Sequence, residues 1–403
     1  MSFETGWRKC TWGDISTLEY GKALRDYKDK TSGYPVYGTN GLIGYTEKYL
    51  SDKPGVIIGR KGAYRGVHYS NRPFFVIDTA YYLSPKIPQL NLRWAYYSLR
   101  NIDINSMDSG SAIPSTSRSD FYSIEVDLPD IYEQQEIANL LSVLDDKIEL
   151  NNAINKNLEE MAQALFNSWF VDFEFPNENG EPYKSSGGEF EESELGLIPK
   201  GWKTGCFGDI SICYDSKRIP LSKKEREVRK KVYPYYGAAS LMDYVDQYLF
   251  NGVHVLMGED RTVINDEGYP VLQYVWGKFW VNNHAHVLKG NSDFSEEYIY
   301  LLLKRTNVRH IVTGAVQPKI NQANMKGIKV IIPENSVLNQ FNQIIDRLFE
   351  LIRKNSDENC SLTNARDTLL PKLMSGEIRV PVEQDHNAPD LPMVAESSAI
   401  YQP

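Results

Sequence analysis

The stretch GRKGAYRG at 59–66 puts Arg60, Lys61, Tyr64 and Arg65 on one glycine-flanked loop. Glycines let a backbone approach a ligand closely. An Arg guanidinium can grip guanine through two hydrogen bonds, whereas Lys usually meets phosphate. The chemistry on offer is recognition of a nucleic acid. Lys22 and Arg25 precede this loop, and SGSAIPSTSR at 109–118 adds hydroxyls, Ser115 and Arg118 among the polar residues. In the second half, SKRIPLSKKEREVRKK at 216–231 is dense in base and contains Lys217 and Arg218. GEDRTV at 258–263 brings Arg261, and Gln317 and Lys319 follow. The competing account is a solvated basic face, the usual fate of Lys-rich runs.

Catalytic constellations are scarce. No GxxxxGK[ST] phosphate loop occurs, and no Asn/Asp-Pro-Pro-aromatic run of the kind that holds a flipped adenine. Pro129-Asp130 followed by Asp145, Asp146 and Lys147 has the look of a nuclease core, but the last three fall inside a long helical pattern and their repeat positions carry Phe349, Glu350 and Leu351. His284 and His286 share one face of a strand without further ligands, a pattern that is usually structural. Cys10, Cys206, Cys213 and Cys360 are scattered without CxxC spacing, as expected of reduced cytoplasmic thiols. These residues predict neither an active site nor a metal site.

The positioning elements come in two copies. GWRKCTWGDIS at 6–16 recurs as GWKTGCFGDIS at 201–211, and YPVYGTNGLIGYTEKYL at 34–50 as YPYYGAASLMDYVDQYL at 233–249. GSAIPSTSRSDFYSIEVDLP at 110–129 aligns with GAVQPKINQANMKGIKVIIP at 314–333. A period near 200 residues means a duplicated domain. The framework agrees while the loop tips differ: Arg60 and Lys61 stand where the second copy has Glu259 and Asp260. Two readers of different sequences would look like this, since acids can accept from cytosine.

Each copy ends in a helical seam. The first runs Ile137, Leu141, Leu144, Ile148, Asn151, Asn155, Leu158, Ala162, Leu165, Trp169 in steps of four and three. The second runs Phe341, Ile345, Leu348, Ile352, Asn355, Asn359, Leu362, Arg366, Leu369, Leu373. Paired Asn in the middle of an apolar stripe are costly unless polar groups face them, so each helix is expected to pack on its own copy with the amides pinning register. Because the amides are central, either helix direction aligns them. At ~1.5 Å per residue such a helix is about 60 Å long.

The expected organisation is a compact unit at 1–130, a helix at 131–172, a linker or irregular wrap at 173–200, a second unit at 201–335, a helix at 336–380 and a disordered tail at 381–403. Each unit is α/β or α+β. Net charge is −9, yet the acid is concentrated in helix and linker: 131–200 holds 4 Lys+Arg against 15 Asp+Glu, while 1–130 holds 16 against 14 and 201–335 holds 18 against 14. Mildly basic units permit a nucleic-acid partner. No early apolar run follows Arg8 and Lys9, and no window reaches the roughly 18 apolar residues of a membrane span, so a soluble, cytoplasmic chain is expected.

With LPDIYEQQEIANLLSVLDDKIELNN, MAQALFNSWFVDFEF, LGLIPKGW (195–202) and LPKLMSGEI (370–378) in this order, the sequence resembles the specificity subunit of type I restriction–modification systems over almost its whole length. The resemblance implies two target-recognition domains in inverted orientation, separated by two long antiparallel coiled-coil helices with pseudo-twofold symmetry. It also implies that each domain reads half of a bipartite double-stranded DNA site. The helices would dock two modification subunits, methyltransferases that use S-adenosylmethionine, and restriction subunits would join them in an ATP-driven, Mg²⁺-dependent nuclease of a bacterium or archaeon. The chain itself would bind no cofactor and carry no active site. Two rivals remain at this level: a self-sufficient DNA nuclease or methyltransferase, and a coiled-coil scaffold that binds only proteins. The bases read, the spacer length and the methylated adenines are encoded by no motif.

Overall fold

The computed structural model describes residues 6–107, 114–291, 293–314 and 316–381. The chain divides into two compact units, one made of Met1–Glu149 with Asn359–Pro403, the other of Leu150–Glu358. Each therefore contains one copy of the duplicated domain and a segment of each of two 40-residue helices, Ile131–Phe170 and Asn335–Met374.

In the first unit, Ser16–Tyr20, Ala80–Pro85, Gly55–Gly59 and Val67–Ser70 form a four-stranded antiparallel sheet in that order. Gly55–Gly59 is buried along its whole length, as its unbroken aliphatic centre requires. A smaller sheet joins Tyr34–Gly38 to Gly41–Thr46 and, in parallel, to Phe75–Val76. The second unit repeats the plan: Ser211–Cys213, Ala285–Gly290, His254–Gly258 and Leu272–Val275 make its main sheet. Both copies turn on the same device. Asp14 accepts from the Thr11 amide and Asp209 from the Cys206 amide, each at 2.8 Å, which starts a one-turn helix that buries Trp12 in one copy and Phe207 in the other.

Asp130 caps the first long helix, its Oδ1 accepting from the Tyr132 and Glu133 amides at 2.9 Å. Glu133 accepts from Trp7 Nε1 at 2.8 Å and from Arg379 at 2.5 Å. In the first unit Ile137 and Leu141 pack with Leu370, Leu373, Trp94 and Tyr97. In the second, Phe166 and Phe170 pack with Phe341, Ile345 and Tyr298, the Phe170 and Phe341 rings 4.7 Å apart and near-perpendicular. In both units residue numbers rise along one helix as they fall along its neighbour, so the pairing is antiparallel.

Two boundaries differ from expectation. The second helix stops at Met374, not near 380, because the backbone turns at Gly376 with φ +71 and returns Arg379 to Glu133 and the Trp7 ring. The first ends at Phe170. Of the two readings of 173–200, the irregular wrap is the one seen: Phe175 stacks on Trp202 at 4.9 Å and on Tyr183 at 4.6 Å, and Phe190–Ser193 pairs with Gly196–Pro199. Its aromatic residues bury against the second unit, an effect that its polar average composition conceals. The tail expected at 381–403 lies, apart from Pro381, outside the described residues.

Candidate nucleic-acid interface

The loop of the first unit is pinned from several sides. Arg60 and Lys61 amides donate to the Thr79 carbonyl at 2.9 and 3.1 Å, and the Gly62 amide to Pro114 at 2.9 Å. Thr116 returns its amide to the Arg60 carbonyl at 2.9 Å and its hydroxyl to Gly59 at 2.8 Å. Gly62 sits at φ +120, a conformation that a β-carbon would oppose. Lys61 and Ser115 thus lie opposite each other in a short bridge.

On this frame stands a partly exposed aromatic–cationic cluster. The Arg60 guanidinium lies over Tyr20 at 4.9 Å and Tyr81 at 5.7 Å, with Nη1 donating to the Asp78 carbonyl at 2.9 Å. Arg118 is the other cationic neighbour of the same ring, 5.1 Å from Tyr20, and donates through Nη2 to Tyr122 Oη at 2.9 Å. Hydrogen bonds from Arg118, then from Tyr81, draw the Tyr20 phenol below its ordinary pKa. Tyr20 is 48% and Tyr64 80% exposed. Lys22 and Arg25 are exposed just beyond Tyr20, and Lys61 lies 3.9 Å from Asp78.

Arg65 corrects an expectation. It is 4% exposed and its Nη2 donates to the Asn105 and Met107 carbonyls at 2.9 Å, so it braces the loop from beneath and offers nothing to solvent. The carbonyls of residues 104–107 converge there, and only a multi-donor cation satisfies them. Arg118 lies within the described residues, but much of the hydroxyl-rich segment before it, 108–113, lies outside them.

The second unit carries a different chemistry in the same register. Leu18 pairs with Leu83 as Cys213 pairs with Leu288, and Gly59 with Ala80 as Gly258 with Ala285, so Tyr20, Tyr81 and Arg60 correspond to Asp215, His286 and Glu259. Ser117 and Asn321 cap equivalent short helices, which sets Arg118 against Gln322. There an ion network replaces the aromatic cluster. His286 Nδ1 meets Asp215 at 2.6 Å, Gln322 donates to Asp215 at 2.7 Å, and Glu259 is paired with Arg218 at 2.6 Å and Lys319 at 3.2 Å. Burial alone would raise the Asp215 carboxyl, but the His286 hydrogen bond and charge, the Val287 amide and Arg218 hold it down at about 2.

Arg218 is therefore a second correction: its side chain is 11% exposed and committed to carboxylates. Lys217, Arg261, Gln317 and Lys319 are exposed, with Lys217 over the Tyr214 ring at 4.8 Å. Arg261 takes the place of Gly62, its amide donating to Pro318 at 3.0 Å, and holds φ +64 as a non-glycine residue. Much of the basic run at 223–231 is engaged locally: Arg226 and Lys231 meet Asp243 at 3.1 and 2.8 Å, and Arg229 meets Asp246 at 2.9 Å. Sequence reading passed over Tyr20, Tyr81, Asp215 and Gln322; a strand-by-strand register of the two copies is the signal that finds them.

Cys213, Asp215 and His286 bring three potential ligand atoms within 4.8 Å of one another. Their chemistry does not suit an ion. His286 Nε2 is 2.8 Å from the Ile320 carbonyl while Nδ1 faces Asp215, so both ring nitrogens are engaged. Burial, with the Asp215 charge beside it, pushes the Cys213 thiol up to about 12, far from the thiolate that a metal needs. Asp145 is likewise occupied, accepting from Tyr97 at 2.7 Å and pairing with Arg366 at 2.6 Å.

Along the helices all twenty seam positions are buried or half-buried. Asn355 Nδ2 donates to Asn155 Oδ1 at 2.9 Å, Asn155 Nδ2 to Ser356 Oγ at 3.1 Å and Asn151 Nδ2 to Glu358 at 2.8 Å. Beside the seam, apolar side chains are left exposed: Leu150, Ile154 and Met161 are 55, 38 and 57% exposed in the second unit, Leu140 and Val143 42 and 65% in the first. No helix of the described residues is long and apolar enough to cross a membrane.

A family model described as the type I restriction modification DNA specificity domain matches residues 4–160 and 199–364. The type I restriction enzyme MjaIX specificity subunit of Methanocaldococcus jannaschii is 28% identical over 295 residues, 69% of this chain and 66% of that one. The HindI specificity subunit of Haemophilus influenzae is 25% identical over 330 residues, 64% of this chain and 69% of that one. The chain thus spans about two thirds of the length of these curated relatives. The crystal structure of the type I restriction–modification S subunit from M. genitalium aligns with a TM-score of 0.58 at 21% identity, covering 91% of this chain and 96% of that one, a likeness of fold.

Proposed function

This chain belongs to the family of type I restriction modification DNA specificity domains, and from that premise we propose that each of its units reads one half of a bipartite double-stranded DNA site. The observation that carries this reading is one pinned loop frame built twice, with an aromatic–arginine cluster in one copy and an acid–histidine network at the registered positions of the other. A scaffold that bound only protein would gain nothing from such divergence at its loop tips.

The exposed apolar residues on the outer helix faces support docking of two modification subunits there, since apolar side chains aligned at helical spacing on a surface mark a protein contact. Those subunits would use S-adenosylmethionine to methylate adenine, and restriction subunits would add ATP- and Mg²⁺-dependent cleavage. The chain supplies the address and none of these cofactors, and works in the cytoplasm of a bacterium or archaeon. Methylation of a random-sequence duplex library by the chain co-expressed with its modification subunit tests this. A two-part methylated motif with an unspecified spacer is the expected product; methylation without a shared motif, or methyl transfer by the chain alone, defeats the reading.

A further inference from the structure

Resting on that reading, we propose that Arg60 reads a guanine in the half-site of the first unit, with Tyr20 as the residue that positions it, and that Glu259, at the registered position of the second unit, offers no such fork. A guanidinium has five N–H donors. In Arg60, Nη1 serves the Asp78 carbonyl. The remaining donors lie on a plane fixed by contact with two aromatic rings, at 4.9 and 5.7 Å. Such a fork loses little freedom on binding.

Guanine alone among the bases presents two adjacent acceptors, N7 and O6, in the major groove. Adenine pairs its N7 acceptor with an N6 donor that an all-donor fork cannot satisfy. Arg118 spends its Nε–Nη2 edge on Tyr122 Oη, at 3.3 and 2.9 Å, which leaves that edge closed to a base. It packs on the Tyr20 ring and helps keep that ring in place under Arg60. Lys61, next along the loop, has the point charge suited to phosphate.

At the registered position of the second unit the residue is Glu259, an acceptor already engaged by Arg218 and Lys319. The Tyr20–Tyr81 pair beneath Arg60 is there replaced by Asp215 and His286, 2.6 Å apart. The two copies therefore differ at this position in kind: a cation on aromatic rings in one, a carboxylate already paired with two cations in the other.

The test uses the chain assembled with its modification subunit, methylating a random duplex library read by sequencing. The parent should return a two-part motif with an invariant G·C pair in one half. Arg60→Ala and Arg60→Lys, the latter keeping charge without the fork, should each relax that one pair, lowering its discrimination on the order of 10- to 100-fold, and leave the other half-site intact. Tyr20→Ala should relax the same pair more weakly, and Tyr20→Phe, which keeps the ring, should restore it. Three outcomes overturn the proposal: a two-part motif whose G·C pairs are indifferent to Arg60→Lys, a uniform loss over all sequences as for a phosphate contact, or Tyr20→Ala without effect at that pair. A parent that returns no two-part motif sinks the broader reading instead.

Discussion

His254 shows how a single side chain ties the second unit to pH. Burial among Phe250, Phe279 and Tyr214 brings its imidazole down to about 4; the Gly252 carbonyl opposes this, and nearby Lys289 and Lys217 add smaller pushes in the direction of burial. The folded pKa lies below that of the unfolded chain, about 6.5. The neutral ring's contribution is therefore complete above pH 6.5, falls as the pH drops from 6.5 to 4, and is gone below. At ~1.4 kcal/mol per pH unit this amounts to about 3 kcal/mol. Urea unfolding at pH 7.5 and pH 4.5 should show that loss in the parent, and His254→Phe should remove most of the difference between the two pH values; an equal pH response in both proteins would refute the assignment.

At the scale of elements, the amide seam makes the helix pairing specific. Burying Asn155 and Asn355 costs free energy, and their mutual hydrogen bond at 2.9 Å offsets it. Asn155→Leu leaves the Asn355 donor facing an alkyl group and should cost about 1–3 kcal/mol. Adding Asn355→Leu should recover most of that loss, since apolar replacement of both partners leaves no stranded group. The doubly substituted protein should also lose uniqueness of register. A double-mutant cycle in urea, with sedimentation to count species, separates these effects; additive costs and a single species would mean that the amides do not set register.

At the scale of the molecule, each 40-residue helix gives one part of its length to each unit. Its seam face is consumed by the antiparallel neighbour, and its outer face remains available. Leu150 and Ile154 are one turn apart on that face in the second unit and make no part of the buried core. Replacing both by Glu should abolish or halve the modification subunit that co-purifies, while leaving thermal unfolding within a few degrees of the parent. Undiminished co-purification would move the docking surface elsewhere.

The sequence by itself determined the duplication, the mixed fold of each copy, the two helices and the side of each helix that packs. Those follow from periodicity and self-similarity, which are properties of residue order. It was silent on which cations are free. Arg65 and Arg218 have the same composition signal as Arg60, yet one is consumed by backbone carbonyls at 104–107 and the other by Asp215 and Glu259. Helix direction was equally undecidable, because Asn151 and Asn155 sit near the middle of the seam and align either way. Hydrogen-bond partners hundreds of residues apart in sequence, such as Asn155 and Asn355 or Glu133 and Arg379, exist only once the chain has closed on itself. The satisfaction of buried polar groups is a three-dimensional condition, and tertiary structure alone decides which charges are left for a ligand.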